Sequence, residues 1–273
     1  CGGEPLKLVS AASWDGRVKL LDADTGHERL AIEAHKGDAC WAEFSPDGAS
    51  LVSVGGGGLL KSWDVATGDE IRSTKAHDSE VMSCRVSRDG RFIVTASQDM
   101  QVKRWDAASF ELLTSYDGHT AGVWAAAISP DGRLLATGAG DGCVKVWDVE
   151  SGTELASATE HSNEVWGLAF FGDSARFVSA AWDTTVKVWN AARAVRDVDQ
   201  AAGEPKQAAD AARLWGYMIA CSCAPDGALI AAGSQDGSVR LWDARTGRSE
   251  GVFKLHHDFV FACAWSPDSR WIV

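Results

Sequence analysis

The chain has 273 residues, 45% hydrophobic and 23% charged, with a formal net charge of −12. That surplus of acid excludes nucleic acid as the main partner, because backbone binding rests on lysine and arginine neutralising phosphates. No apolar run approaches the roughly 18 residues that span a bilayer, and no basic-then-apolar leader is present, so no membrane partner is expected and the compartment is read as cytoplasmic, with nuclear as the alternative.

In chain order, a first strand is expected over about 6–11. The next notable stretch is "SVGGGGLLKSWD", Ser53–Asp64. It misses the phosphate-cradling form G-x-x-x-x-G-K-[S/T] by one residue, since Leu60 stands where the glycine before Lys61 belongs. Lys61 and Ser62 fall on a strand rather than at a helix N-terminus, where backbone N–H groups and the dipole would hold phosphate. The glycines therefore read as a turn, and no cofactor is expected.

From here the elements recur. Trp63, Trp105, Trp147 and Trp189 are 42 residues apart, with Leu21 one step earlier, and Trp242 follows after 53. His35, His77, His119 and His161 keep the same step of 42, and His256 lies 95 further on. Each unit carries an alternating apolar run ("VWAAAISPDG", Val123–Gly132), a turn rich in Asp and Gly, a second apolar run, another Asp-Gly turn, a third alternating run ("CVKVWD") and a turn into a fourth. Short alternating strands at even spacing with such turns predict an all-β architecture, and a period of 40–45 is that of four-stranded propeller blades. The cysteines are odd in number, seven. Cys84, Cys221 and Cys263 share one strand slot, as buried reduced thiols do, and Cys221-Ser222-Cys223 lacks the spacing of a zinc or redox motif.

The Trp-Asp endings at Trp63-Asp64, Trp105-Asp106, Trp147-Asp148 and Trp242-Asp243, with Gly118-His119, resemble WD40 repeats over nearly the whole chain. The resemblance implies a β-propeller of four-stranded antiparallel blades, about six and a half repeats, with seven blades expected in the intact protein and six-bladed closure the alternative. The chain is read as one domain over 1–273, cut within a blade at both ends, with an Ala-rich insertion within 190–215 that Pro205 could open as a short helix. The family also implies a hydrogen-bonded tetrad per blade. Three matches are complete: His77-Thr95-Asp99-Trp105, His119-Thr137-Asp141-Trp147 and His161-Ser179-Asp183-Trp189. Such periodic His and Asp are structural, so no metal and no catalytic residue is expected, and no catalytic motif occurs. The glycine turn has Gly57 in the Asp slot, so His35 loses a partner.

Three positions per blade line the top face in this family. Here they are Trp14, Asp38, Cys40, Glu80, Met82, Gln98, Trp124, Glu164, Trp166, Trp182, Tyr217, Ile219, Gln235, Phe259 and Phe261. Aromatic anchors dominate interfaces, and carboxylates beside them favour Lys or Arg. The expected function is a non-catalytic scaffold in a multiprotein complex, binding a protein or peptide with basic or methyl-lysine-like residues. An alternative comes from Ile230–Arg245, whose W-D-x-R ending resembles the box by which some WD40 proteins join a cullin-RING ubiquitin ligase, with Arg245 as adaptor contact. A further alternative is a non-catalytic propeller joined to an enzyme domain elsewhere.

Overall fold

The computed structural model describes residues 8–191, 217–254, 256–266 and 268–272. Most of the 190–215 insertion, including Pro205 and Leu214, lies outside them, as do Leu6 and Val273. The chain divides into two compact units, Cys1–Ser115 and Tyr116–Val273.

The first unit carries three antiparallel sheets in chain order. They are β1 (Leu8–Ala12), β2 (Arg17–Asp22) and β3 (Glu28–Glu33); then β4 (Ala39–Phe44), β5 (Ser50–Gly55), β6 (Leu59–Asp64) and β7 (Glu70–Lys75); then β8 (Val81–Val86), β9 (Phe92–Ser97), β10 (Val102–Asp106) and β11 (Leu112–Tyr116), whose last residue opens the second unit. The second unit carries β12 (Val123–Ile128), β13 (Leu134–Ala139), β14 (Val144–Asp148) and β15 (Glu154–Ala158); β16 (Val165–Phe170), β17 (Arg176–Ala181) and β18 (Val186–Asn190); and β19 (Met218–Cys223), β20 (Leu229–Ser234), β21 (Ser238–Asp243) and β22 (Ser249–Lys254). Every described sheet is a run of hairpins. Beyond β22 a single bridge joins Trp265 to Ile272, so a seventh sheet is not among the described residues.

Burial falls from the inner strands outward. The second strands β5, β9, β13, β17 and β20 are buried along nearly their whole length, whereas β7 and β22 are mostly exposed. The inner strands are rich in Ala, Gly, Ser and Val because sheets press on both faces. A Cβ on Gly138 would sit 2.5 Å from Val165 Cγ1, so only glycine lets these sheets meet. In the second unit the core packs Phe177 and Trp189 with Val144, Val146 and Leu168; in the first, Leu60, Ile93 and Trp105 pack with Val54 and Val81.

The Asp of each Trp-Asp pair shapes the third hairpin. Asp106 Oδ1 accepts the N–H groups of Ala108 and Ser109, and Asp243 Oδ1 those of Arg245 and Thr246. Such Asx bonds satisfy turn donors and set the reversal into the fourth strand.

The glycine run also has a packing cause. A Cβ on Gly55 would lie 2.0 Å from the Asp38 carbonyl oxygen, and one on Gly58 2.0 Å from that of His77. The backbones touch there, Gly57 and Gly58 take positive φ (76° and 71°), and Lys61 and Ser62 lie on β6.

Candidate functional site: an aromatic ladder at the turn ends of the sheets

The site begins with an irregularity repeated in five sheets. The first strand of each skips one residue in its pairing: Cys40 in β4, Met82 in β8, Trp124 in β12, Trp166 in β16 and Ile219 in β19. A bulge leaves one residue out of the ladder and re-aims its side chain. A second regularity fixes the neighbouring turn. The residue before the turn-Asp slot donates its N–H to the carbonyl of the residue two before the bulge: Gly56 to Asp38, Gln98 to Glu80, Gly140 to Gly122, Trp182 to Glu164 and Gln235 to Tyr217, at 2.8–3.0 Å. In these five sheets the bond ties two of the family's face positions together, with the bulged third position two residues along the first strand.

In the second unit this scaffold assembles four aromatic rings. Trp124 stacks on Trp166 with centroids 4.8 Å apart and planes 6° from parallel; Trp166 stacks on Trp182 at 5.0 Å and 11°; Trp182 stacks on Tyr217 at 5.1 Å and 22°. The rings come from three sheets: β12–β15, β16–β18 and the lead into β19. Trp124, Trp166 and Trp182 are half-buried and Tyr217 is exposed. Trp166 Nε1 donates to Glu164 Oε2 at 2.9 Å, whereas the buried indole N–H groups of Trp124 and Trp182 have no acceptor. Phe259 and Phe261 form a separate stacked pair at 5.4 Å, both exposed.

In the first unit the matching positions are mostly polar, Met82 and Trp14 aside. Gln98 Nε2 donates to Glu80 Oε2 at 2.9 Å and lies 3.5 Å from Met82 Sδ. Asp38 and Cys40 are half-buried, and burial, with Glu80 and Asp38 nearby, pushes the Cys40 thiol up to about 12, which keeps it protonated. Trp14 is 68% exposed. Gln235 is half-buried. Ile219 departs from the expectation: it is 4% exposed, an aliphatic side chain beside the fully buried Met218, and offers nothing to a partner. The four ladder rings cover each other's faces, whereas a methyl-lysine cage turns ring faces toward one point.

The third-strand tryptophans are a different population. Trp63, Trp105, Trp147 and Trp189 are at most 9% exposed, and each donates Nε1 to the second-strand hydroxyl of Ser53, Thr95, Thr137 or Ser179. The same hydroxyls meet Nε2 of His35, His77, His119 and His161 at 2.6–2.9 Å. His77 Nδ1 meets Asp99 at 3.0 Å and His161 Nδ1 meets Asp183 at 2.8 Å. Burial opposes the charge of Asp99, yet the N–H groups of Gln101 and Asp78 and the His77 ring hold it below the usual carboxylate range.

The remaining expected tetrad, His119-Thr137-Asp141-Trp147, is open. Asp141 turns its carboxylate to the Thr120 hydroxyl at 2.8 Å, and His119 Nδ1 is buried without a partner. The neighbouring hydroxyl attracts the carboxylate that the imidazole would otherwise hold. His35 Nδ1 is likewise unpartnered, opposite a turn of glycines. Burial lowers the pKa of both rings to about 4, with Lys61 adding to the effect at His35. In the last sheet Arg240 replaces the histidine network, reaching Asp236 at 2.8 Å and Ser238 at 3.1 Å. His256, in the periodic slot, is exposed.

Arg245 is exposed in the turn between β21 and β22, at the opposite end of that sheet from Gln235. No helix among the described residues is long and apolar enough to cross a membrane.

Comparison with known proteins decides the family. The WD domain, G-beta repeat profile matches residues 68–106, 110–148, 152–190, 216–243 and 247–273, more than half the chain. The chain belongs to the WD40 repeat family. Its sheets are WD40 blades, and the WD40 β-propeller is in general a non-catalytic scaffold fold. Among curated proteins the chain is similar to Protein tipD of Dictyostelium discoideum, 47% identical over 49 residues, 17% of this chain and 8% of that protein. It is similar to small ribosomal subunit protein RACK1 of Neurospora crassa, 36% over 58 residues, 21% of this chain and 18% of the relative. It is also similar to Restriction of telomere capping protein 1 of Lodderomyces elongisporus, 48% over 44 residues, 15% and 4%. The matched stretches span less than a fifth of each relative's length.

The bulge and the stack have unequal traces in the sequence. Tryptophans five residues after His119 and His161 mark the bulged slot. Nothing in the spacing reveals that Trp182 and Tyr217, from different slots, fall into the same line.

Proposed function

We propose that this WD40 protein is a non-catalytic scaffold that takes a protein or peptide partner carrying basic residues on the Trp124–Trp166–Trp182–Tyr217 ladder, as one member of a multiprotein assembly. The observation that carries this is the contrast between its two tryptophan populations. The third-strand tryptophans are buried and bonded, as a structural role requires. The ladder tryptophans are half-exposed at a turn end, and two of their N–H groups lack acceptors. A buried unpaired donor costs about 1–3 kcal/mol, a poor choice for stability alone. Clustered Trp and Tyr supply large rigid contact area at low entropic cost, which is where binding hot spots concentrate. Glu164 stands within the ladder, and a carboxylate that accepts one indole N–H retains lone pairs for a lysine or arginine donor. The similarity to a relative named as a ribosomal-subunit protein agrees with membership of an assembly.

A basic peptide library measured against the wild type, Trp166→Ala and Glu164→Ala tests this. Trp166→Ala should weaken the best peptides about 10-fold or more, and Glu164→Ala should weaken them less. Unchanged affinity in both variants, with folded protein confirmed by thermal melting, would sink the reading.

A second reading is substrate receptor of a cullin-RING ligase, favoured by the exposure of Arg245 in the W-D-x-R turn. Co-purification of the ligase adaptor, lost on Arg245→Ala, would support it; no adaptor with the wild type would reject it.

A further inference from the structure

The periodic histidines and aspartates are structural where the period is intact. The β12–β15 sheet is where it breaks, and it breaks at two positions at once. The residue two after the turn Asp is Gln101 in one sheet, Thr185 in another and Ser238 in a third, but Cys143 here. In the Thr185 sheet that side chain touches the histidine: Thr185 Oγ1 lies 3.2 Å from His161 Nδ1, which Asp183 also meets. The corresponding place beside His119 thus holds a thiol. In this same sheet the carboxylate has swung to Thr120, leaving His119 Nδ1 buried and unpartnered.

A ring nitrogen of His119, a carboxylate oxygen of Asp141 and Cys143 Sγ all lie within 4.8 Å of one another, and of the two ring nitrogens Nδ1 is the unpartnered one. His119 and Cys143 are 7% and 5% exposed, while Asp141 is exposed and leaves an entry from solvent. The far side of the imidazole is already oriented, with Nε2 2.7 Å from Thr137 Oγ1. If Nε2 carries the proton and donates it there, Nδ1 keeps its lone pair, which is the tautomer a metal ligand requires. Cys143 Sγ has Ser157 Oγ at 3.2 Å, and the charge of nearby Lys145 is met by Glu154 at 2.8 Å.

We propose that His119, Asp141 and Cys143 bind a thiophilic divalent cation of the zinc class. Imidazole, carboxylate and thiolate are the donor types such an ion takes, at about 2.0–2.3 Å, in a tetrahedral arrangement whose fourth position stays open here. Tetrahedral bonds of that length set ligand atoms roughly 3.3–3.8 Å apart, and the three here already lie within 4.8 Å. Binding replaces the proton of Cys143 Sγ by the metal and releases that proton to solvent, so nothing is oxidised or reduced. His35 supplies an internal contrast: its Nδ1 is equally unpartnered, but its turn offers glycines and no ligand.

The test is titration of the reduced, chelator-stripped full chain with cobalt(II) as a spectroscopic stand-in, followed by zinc competition. The wild type should bind one equivalent with a thiolate-to-cobalt charge-transfer absorption that zinc abolishes. Cys143→Thr installs the residue that the β16–β18 sheet carries at this place, so the fold should persist, and the absorption should vanish. Cys40→Ser controls for another cysteine and should leave the absorption intact. Absence of the band in the wild type, or a band unchanged in folded Cys143→Thr, would overturn the proposal. Loss in Cys40→Ser but not in Cys143→Thr would also overturn it, by placing the metal elsewhere.

Discussion

At the scale of single residues, the informative groups are the histidines whose partners differ. His77 and His161 each hold a hydroxyl on one nitrogen and a carboxylate on the other. His35 and His119 hold only the hydroxyl, and burial lowers both to about 4 from an ordinary 6.5. Because their native pKa is depressed, the unfolded chain binds protons that the native state refuses between those values. Their neutral burial therefore leaves stability intact above about pH 6.5 and erodes it as the pH falls toward 4, by on the order of 3 kcal/mol per ring over the window. The urea midpoint should fall between pH 7.5 and pH 5, and His35→Gln should flatten part of that slope. A midpoint independent of pH in this range would mean that the two rings are protonated or accessible in the folded protein. The loss of His35's partner could be read from Gly57 in the Asp slot. The loss at His119 could not, because Asp141 is present and only the competing Thr120 hydroxyl, 21 residues away in the chain, draws it off.

At the scale of elements, the first-strand bulge and the adjoining turn form the working unit. The bulge puts one side chain per sheet out of register, and the backbone bond from the turn holds it against the strand end. In four turns an Asp stiffens this unit by accepting backbone N–H groups, as Asp99 does from Gln101, Asp141 from Cys143, Asp183 from Thr185 and Asp236 from Ser238. The glycine turn retains the backbone bond from Gly56 to Asp38 and has no such carboxylate. Its opening should need less free energy than that of its neighbours. Amide hydrogen exchange at Gly55–Gly58 should accordingly be faster than at Ala139–Gly142, and equal rates would contradict the role given to the turn carboxylate. Strand order and turn positions were legible because each depends on residues close in sequence: alternation for the strands, Asp and Gly for the reversals. The bulge was not, since skipping one residue leaves the alternation nearly intact.

At the scale of the whole molecule, a period of 42 residues is enough to name the fold, because five or six units agree in spacing and turn chemistry and the family profile matches more than half the chain. It is not enough to assemble the site. Trp124, Trp166, Trp182 and Tyr217 come from three repeats and three slots, and their stacking is set by how neighbouring sheets pack, which no single repeat encodes. The net charge of −12 gives the partner question a sign, since association with a basic segment should weaken as salt rises. The central claim is that the ladder is a binding surface rather than stray core. Affinity purification of the chain and of Trp166→Ala from the same cells tests it most directly. The account predicts a partner recovered with the wild type and reduced about 10-fold or more with the folded variant; equal recovery by both would contradict it.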